Sequence, residues 1–259
     1  MVNVRKYGNP PFNIALVHGG PGAAGEMAPV ASRLAAHKSI LETLQTASSL
    51  KGQVQELKSV LEEHGTLPIT LVGHSWGAWL ALIVAAQYPD LVRKLMLIAS
   101  GPFEIKYAKD IMATRLSRLN EREKVEFQAV TKELNKPKAG KRNALGKLAR
   151  LISKTDSYDP LPDSDEKIKV QQNIYQSVWP EAAEFRKSGN LLKLAAKVQC
   201  PVVAIHGDYD PHPAEGVRKP LSVAIKDFHF VLLQHCGHNP WMERKAKDKF
   251  YKILKGELR

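Results

Sequence analysis

Six short apolar runs recur along the chain, each close to turn-forming residues, and helical patterns separate them. They cover residues 13–17, 40–44, 69–73, 94–99, 202–206 and 229–234. Runs of this length are typical of buried parallel strands. Between them, residues 50–63 place apolar side chains on one face, whereas residues 76–87 are apolar nearly all round. The alternation predicts an α/β fold, a mostly parallel, doubly wound sheet with helices on both faces.

The strand pattern stops after residue 99 and resumes only at residue 201. The sequence between is polar, with helical patterns at residues 111–119, 124–134, 144–152, 168–178 and 181–185. We interpret residues 102–197 as a helical cap inserted between two strands of one sheet. Residues 1–101 and 198–259 then form the core, which ends in an amphipathic helix at residues 241–254.

Positive charge is concentrated in this insertion. The 259 residues are 44% hydrophobic and 25% charged, which excludes a disordered chain, and their net charge is +12. Residues 101–200 hold 20 basic and 13 acidic side chains, more than half of the excess. Seven basic residues there have no acid between them: Lys136, Lys138, Lys141, Arg142, Lys147, Arg150 and Lys154. Since no nucleic-acid-binding motif accompanies them, we interpret this run as a solvated face and do not expect nucleic-acid binding.

Cysteine content and hydropathy exclude several classes of protein. Cys200 and Cys236 are too few for a disulfide framework and are not spaced as a metal site. No apolar run approaches the roughly 20 residues of a membrane span, and the N-terminus lacks the apolar stretch of a signal peptide. We therefore expect a cytoplasmic protein that binds no metal.

The segment Gly73-His74-Ser75-Trp76-Gly77 matches the pattern G-x-S-x-G, which places a serine in a tight turn between a strand and a helix. A predicted strand precedes the segment and a predicted helix follows it. Such a turn needs small residues two positions before and after the serine. The hydroxyl of Ser75 would then project at a helix N-terminus, where developing negative charge is favoured. The alternative is a glycine-rich turn without catalytic meaning, but the flanking elements favour a nucleophile.

A serine nucleophile needs a base and a group that orients the base. Asp210 follows the strand at residues 202–206 and precedes a proline that fixes its turn, so we choose it over Asp208, interpreted as a turn residue that caps backbone. His238 follows the next strand and is the candidate base, with His235 as the alternative. We expect structural roles for His74 and His206.

Residues 18–22, His-Gly-Gly-Pro-Gly, directly follow the first predicted strand. Glycines let backbone N–H groups approach a substrate oxygen closely. We assign one oxyanion-binding N–H to Gly20, with Gly19 as the alternative, and the other to Trp76, with His18 in support. A phosphate-binding loop is the competing interpretation, but its further glycine and lysine positions are not present.

With these motifs in order, the sequence resembles the α/β-hydrolase superfamily, and residues 18–22 are similar to those of its proline iminopeptidase branch and esterase relatives. The resemblance implies a catalytic triad of Ser75, His238 and Asp210, a backbone oxyanion hole and a helical cap. Residues 44–49 depart from that branch because they lack its glycine-rich loop. The short N-terminus implies that the first two antiparallel strands of the family sheet are absent or reduced.

The resemblance therefore implies a serine hydrolase that needs no metal or cofactor and acts on small-molecule carboxylic esters. A proline iminopeptidase-like aminopeptidase is the alternative, in which Glu181 and Glu184 would hold a free amino terminus; otherwise they are surface carboxylates. A third alternative, of another class, is a catalytically inactive binding protein of the same fold. If the charge of the insertion has a role, we expect it either to attract acidic substrates or to set solubility.

Overall fold

A seven-stranded sheet lies at the centre of the computed structural model, which describes residues 3–134, 142–162 and 171–259. The strands are β1 (Val4–Tyr7), β2 (Ile14–Val17), β3 (Ile40–Thr43), β4 (Ile69–His74), β5 (Val92–Ile98), β6 (Val202–Gly207) and β7 (Phe228–Leu233). Their order is β1-β3-β2-β4-β5-β6-β7, and each neighbouring pair is parallel except β1 and β3. The predicted mostly parallel α/β sheet is confirmed.

Alternate side chains of each strand fill apolar cores on the two faces of the sheet. In β2, Ala15 and Val17 pack into one core, whereas Ile14 and Leu16 pack into the other, and all four are fully buried. A strand covered on both faces needs apolar residues on both faces. This is why the central strands form continuous apolar runs in the sequence.

Ten helices accompany the sheet in the described residues. They are α1 (Ala28–Leu34), α2 (Leu50–His64), α3 (Trp76–Gln87), α4 (Ile111–Ser117), α5 (Glu121–Leu134), α6 (Arg142–Asp156), α7 (Gln172–Lys187), α8 (Asn190–Ala195), α9 (Glu215–Ala224) and α10 (Lys247–Glu257). Helices α2, α3 and α9 contribute to the core on one face, and α1 and α10 to the core on the other. Among these described helices, none is both long and apolar enough to cross a membrane.

The six predicted strands are confirmed with small shifts at their ends. In the described residues the antiparallel part of the sheet is reduced to one edge strand, β1, as expected, and its exposed Arg5 and Lys6 hide it in the sequence pattern. Two other expectations need correction. The last helix starts at Lys247 rather than at residue 241, because a separate 3₁₀ turn, Pro240–Met242, is followed by extended backbone at Glu243. Helix α7 runs through Pro180 as one helix instead of two.

Helices α4 to α7 lie between β5 and β6 in the chain, as the insertion was predicted to do. Helices α5 and α6 share a small core that includes Phe127 and Leu151. Two residues of the basic run, both on α6, form ion pairs with glutamates of α5: Arg150 with Glu126 at 2.7 Å and Lys154 with Glu123 at 2.5 Å. These glutamates neutralise part of the positive charge of the run.

Most other residues of the basic run lie outside the residues that the structure describes. Lys136, Lys138 and Lys141 lie outside the described residues, as do residues 168–170 of a predicted helix, and the side chain of Arg142 is not described. The division of the chain into a core and a cap at residues 102–197 stays a prediction.

Close contact between α3 and the backbone of β2 fixes where α3 begins. A Cβ atom on Gly77 would overlap the carbonyl oxygens of Val17 and His18, and one on Gly73 would overlap the carbonyl oxygen of Gly77. Both positions therefore need glycine for lack of space. The approach holds the turn at Ser75 against the end of β2.

Replacing Gly77 by alanine should destabilise the fold by about 2–4 kcal/mol, since two backbone carbonyls must move. Gly146→Ala is the matched control, because Gly146 is exposed in α6 and nothing lies within 4 Å of its added Cβ. That control should gain about 0.5–1 kcal/mol from helix propensity. Urea unfolding at neutral pH measures both; equal effects of the two substitutions would contradict the packing argument.

Candidate active site

Ser75 occupies a strained turn between β4 and α3. Its φ angle is +51°, in a region that side chains other than glycine rarely adopt, and its N–H donates to the carbonyl of Ile98 at 2.9 Å. Trp76 is the first residue of α3, so its N–H has no acceptor within the helix. The turn thus places a hydroxyl beside an available N–H at a helix N-terminus.

Loops after β6 and β7 bring two further side chains to Ser75. The hydroxyl of Ser75 donates to Nε2 of His238 at 3.0 Å, and Nδ1–H of His238 donates to Oδ2 of Asp210 at 2.7 Å. The structure therefore brings these three residues together in one hydrogen-bonded chain. The parallel strands make this geometry available because their carboxyl ends meet at one edge of the sheet.

The side chain of Asp210 is fully buried, and its carboxylate accepts several N–H groups. Besides His238, the backbone N–H and Nδ1–H of His212 donate to its Oδ1 at 2.9 and 2.8 Å. Burial alone would raise the pKa of Asp210, but His238 and His212 hold it well below its ordinary value of 3.8. The ionised carboxylate fixes the proton of His238 on Nδ1 and leaves Nε2 free to accept.

The imidazole of His238 is tuned in the opposite direction. Burial lowers its pKa, but the neighbouring carboxylate of Asp210 outweighs burial, and the pKa is raised above the ordinary 6.5. An acceptor of this kind, in contact with a hydroxyl, suits a general base.

The alternatives to Asp210 and His238 lie elsewhere. Oδ1 of Asp208 accepts the N–H of Cys236 at 3.1 Å and so ties the two loops together. His235 is exposed and its ring lies 5.1 Å from that of Tyr158. His206 donates from Nε2 to the carbonyl of His212 at 2.8 Å, which supports the loop that carries Asp210.

The two candidate oxyanion donors in the glycine loop after β2, Gly19 and Gly20, differ. The N–H of Gly19 donates to Oε2 of Glu26 at 2.7 Å, which corrects the expectation that it could serve as an oxyanion donor. Gly20 has a left-handed φ of +46° and remains the candidate. His18 is fully buried, donates from Nδ1 to the carbonyl of Gly19 at 2.8 Å, and has its pKa lowered by burial.

Two glutamates that were not predicted from the sequence hold the site loops: Glu243 is buried and Glu26 is partly buried. Glu26 contacts Nδ1 of His74 at 3.1 Å, and Nε2–H of His74 donates to the carbonyl of His238 at 3.1 Å. Glu243 accepts the N–H groups of Gly237, Tyr158 and Asp159 at 2.8–2.9 Å. Both act across many residues of sequence, so no local motif marks them.

A cavity of about 220 Å³ opens above Ser75. Its lining includes Trp79 of α3, Ile111 and Arg115 of α4, Trp179 and Arg186 of α7, and His212. The rings of Trp79 and Trp179 stack with centroids 6.0 Å apart. The cavity therefore has an aromatic wall and is enclosed partly by helices from between β5 and β6.

The acidic residues considered for an amino terminus lie elsewhere. Glu181 accepts the N–H of Leu50 at 2.7 Å, and Glu184 is two-thirds exposed, 3.8 Å from Lys187. Among the described residues, one group could surround a metal ion: Asp210, His212 and His238, with ligand atoms within 4.8 Å of one another. Both oxygens of Asp210 already accept N–H groups from these imidazoles, which accounts for the cluster.

Comparison with known proteins places the chain in a family. The family model described as the alpha/beta hydrolase fold matches residues 46–245, more than half of the chain. The chain belongs to the α/β-hydrolase fold family.

Curated relatives of this α/β-hydrolase chain are longer than it is. Monoacylglycerol lipase abhd6-B of Xenopus laevis is 25% identical over 206 residues, which covers 77% of this chain and 58% of the relative. Monoacylglycerol lipase ABHD6 of Homo sapiens is 26% identical over 208 residues, with the same shares covered. The chain thus spans less than two thirds of their length.

Solved structures with the α/β-hydrolase fold align over nearly the whole chain. VinJ has a TM-score of 0.76 at 17% identity, covering 98% of this chain and 93% of its own. A proline iminopeptidase of Mycobacterium smegmatis has a TM-score of 0.67 at 15% identity, with the same shares covered. At these identities the likeness shows the fold alone.

In this α/β-hydrolase, Glu26→Gln should lower stability in a pH-dependent way. Burial raises the pKa of Glu26, but His74 outweighs it and the pKa falls from 4.5 to about 2. The carboxylate therefore stabilises the fold above about pH 4.5, and that stabilisation is lost as the pH falls toward 2. We expect a loss of about 1–3 kcal/mol at pH 7 and less than half of it at pH 3.

Urea unfolding at the two pH values measures the effect of Glu26→Gln. The exposed Glu184→Gln is the control and should change stability by less than about 0.5 kcal/mol at either pH. A loss of equal size at pH 7 and pH 3 would show that the charge of Glu26 does not act through His74.

Proposed function

We propose that the protein is a serine hydrolase that cleaves small carboxylic esters through an acyl-enzyme. The observation that carries this proposal is the hydrogen-bonded chain from Ser75 through His238 to Asp210, with its hydroxyl end in the cavity. Membership of the α/β-hydrolase fold family supports it.

In the first half of the reaction, Oγ of Ser75 attacks the ester carbonyl carbon while Nε2 of His238 takes the hydroxyl proton. Asp210 holds the imidazole and stabilises the imidazolium that forms. The N–H groups of Trp76 and Gly20 bind the tetrahedral oxyanion, each worth roughly 3–4 kcal/mol. His238 then protonates the departing alcohol, which leaves an acyl group on Ser75.

In the second half, water attacks the acyl carbon while Nε2 of His238 accepts its proton. His238 then returns that proton to Oγ of Ser75 as the bond between the acyl group and Oγ breaks, so the acid departs and both residues are restored. We propose that the inserted helices form a cap over this chemistry, since α4 and α7 line the cavity. A cavity of about 220 Å³ is smaller than common ligand pockets and favours short acyl groups.

We propose esters over aminoacyl compounds as substrates because of the charge of the side chains that line the cavity. Its lining, in the part of the chain that the structure describes, includes Arg115 and Arg186 and no carboxylate side chain. A free ammonium group would find no partner there. The lipase names of two relatives agree with ester cleavage.

Ser75→Ala should reduce the hydrolysis of short 4-nitrophenyl esters by about 10⁴-fold or more, because the nucleophile is removed. It should also abolish labelling by a fluorophosphonate probe. Wild-type protein should turn over these esters and not aminoacyl anilides; the opposite preference would favour the aminopeptidase. Absence of labelling and turnover in wild type would favour an inactive binding protein.

Asp210→Asn should lower kcat/KM by about 10³–10⁴-fold and move its acidic limb to lower pH. The reason is that kcat/KM falls when His238 becomes protonated, and the charge of Asp210 raises the pKa of His238. Asp208→Asn, two residues away in the same loop, is the control and should leave the limb unchanged. A pH profile of Asp210→Asn that coincides with wild type would rule out this role of the carboxylate.

A further inference from the structure

Arg186 differs from the other arginine of the cavity because it has no acidic partner among residues 3–134, 142–162 and 171–259. Arg115 donates from Nε and Nη2 to both oxygens of Asp156, at 2.8 and 2.5 Å. The Nε atom of Arg186 is buried, and within the described ranges nothing accepts its hydrogen. Its guanidinium carbon lies 5.3 Å from the ring centroid of Trp79.

Partial burial of the charged guanidinium is unfavourable because it removes part of its hydration. Burial lowers the pKa of Arg186, yet arginine stays charged in proteins. Contact with the face of Trp79 offsets part of the lost hydration, but an aromatic ring accepts none of the N–H donors in their plane. The last turn of α7 therefore presents to the cavity that holds Ser75 a partly buried cation, whose buried Nε–H has no acceptor in the part of the chain that the structure describes.

We propose that Arg186 binds a carboxylate of the substrate, so that the site takes esters that carry a free carboxylate besides the bond to be cleaved. This inference rests on the proposed ester hydrolysis. It names the substrate class and makes Arg186 a residue that determines specificity.

The chemistry of the cavity favours a carboxylate as the bound group. The planar fork of a guanidinium matches the two oxygens of a carboxylate. One unpaired cation balances one negative charge, since Asp156 already neutralises Arg115. Trp79 and Trp179 form a wall against which the carbon chain between ester and carboxylate can pack.

Paired esters of five acyl carbons test the proposal: 4-nitrophenyl hydrogen glutarate, which has a terminal carboxylate, and neutral 4-nitrophenyl pentanoate. Spontaneous hydrolysis is subtracted, and the readout is the ratio of their kcat/KM values. Wild type should favour the glutarate, and Arg186→Gln should lower the ratio by about 10- to 100-fold. Arg186→Lys should recover part of it, because the charge returns without the fork.

Lys187→Gln is the matched control, since it removes one charge from the next, exposed position of α7. It should leave the ratio within about twofold of wild type. An unchanged ratio in Arg186→Gln, or equal losses on both esters, would overturn the proposal and mark Arg186 as a packing partner of Trp79.

Binding to Ser75→Ala protein separates this inference from the proposed function. Calorimetry should show that it binds the 4-nitroanilide of glutaric acid more tightly than that of pentanoic acid, and that adding Arg186→Gln removes the difference. If wild type cleaves neither ester but this difference holds, ester hydrolysis fails and the carboxylate site stands. If wild type cleaves both esters and binding shows no difference, hydrolysis stands and the carboxylate site fails.

Discussion

The buried negative charge of Asp210 is the constraint on which the rest of the site depends. A carboxylate removed from water must be matched by donors, and His212 and His238 supply them from within hydrogen-bond distance. Meeting that requirement pins the loop after β7 against the loop after β6. It also orients His238 toward Ser75, so the interaction that satisfies the charge also arranges the proposed base.

The loops around this pair are held by residues that do not line the cavity. Glu26 joins the glycine loop to His74, and His74 contacts the carbonyl of His238. The carboxylate of Glu243 accepts hydrogen bonds from backbone N–H groups of the His238 loop and of the segment after α6. Tightly packed glycines leave little room for these loops to shift, so the position of the proposed triad follows from several independent constraints.

The fold class could be predicted from the sequence. Ser75, Asp210 and His238 could be predicted as candidate catalytic residues because each follows a recognisable buried strand. The start of helix α10 and the presence of strand β1 could not be predicted from the sequence pattern. Extended backbone at Glu243 separates the 3₁₀ turn from α10, and β1 forms an edge where charged side chains are allowed. No local sequence pattern marks Glu26, because its partner His74 is 48 residues away. Interactions of that kind become visible only when the chain is folded.

The positive charges of the chain differ in whether they are exposed and paired or buried without a partner. A net charge of +12 describes the whole chain, and in the basic run Arg150 and Lys154 are paired with glutamates on a neighbouring helix. Exposed pairs of that kind contribute little to stability or to recognition. Arg186 adds only one unit to the total, yet it lines the cavity that holds Ser75, and its buried Nε–H has no acceptor among the described residues. Recognition of an anion depends on the position of a cation and on how far it is removed from water. The net charge of the chain gives no information on either.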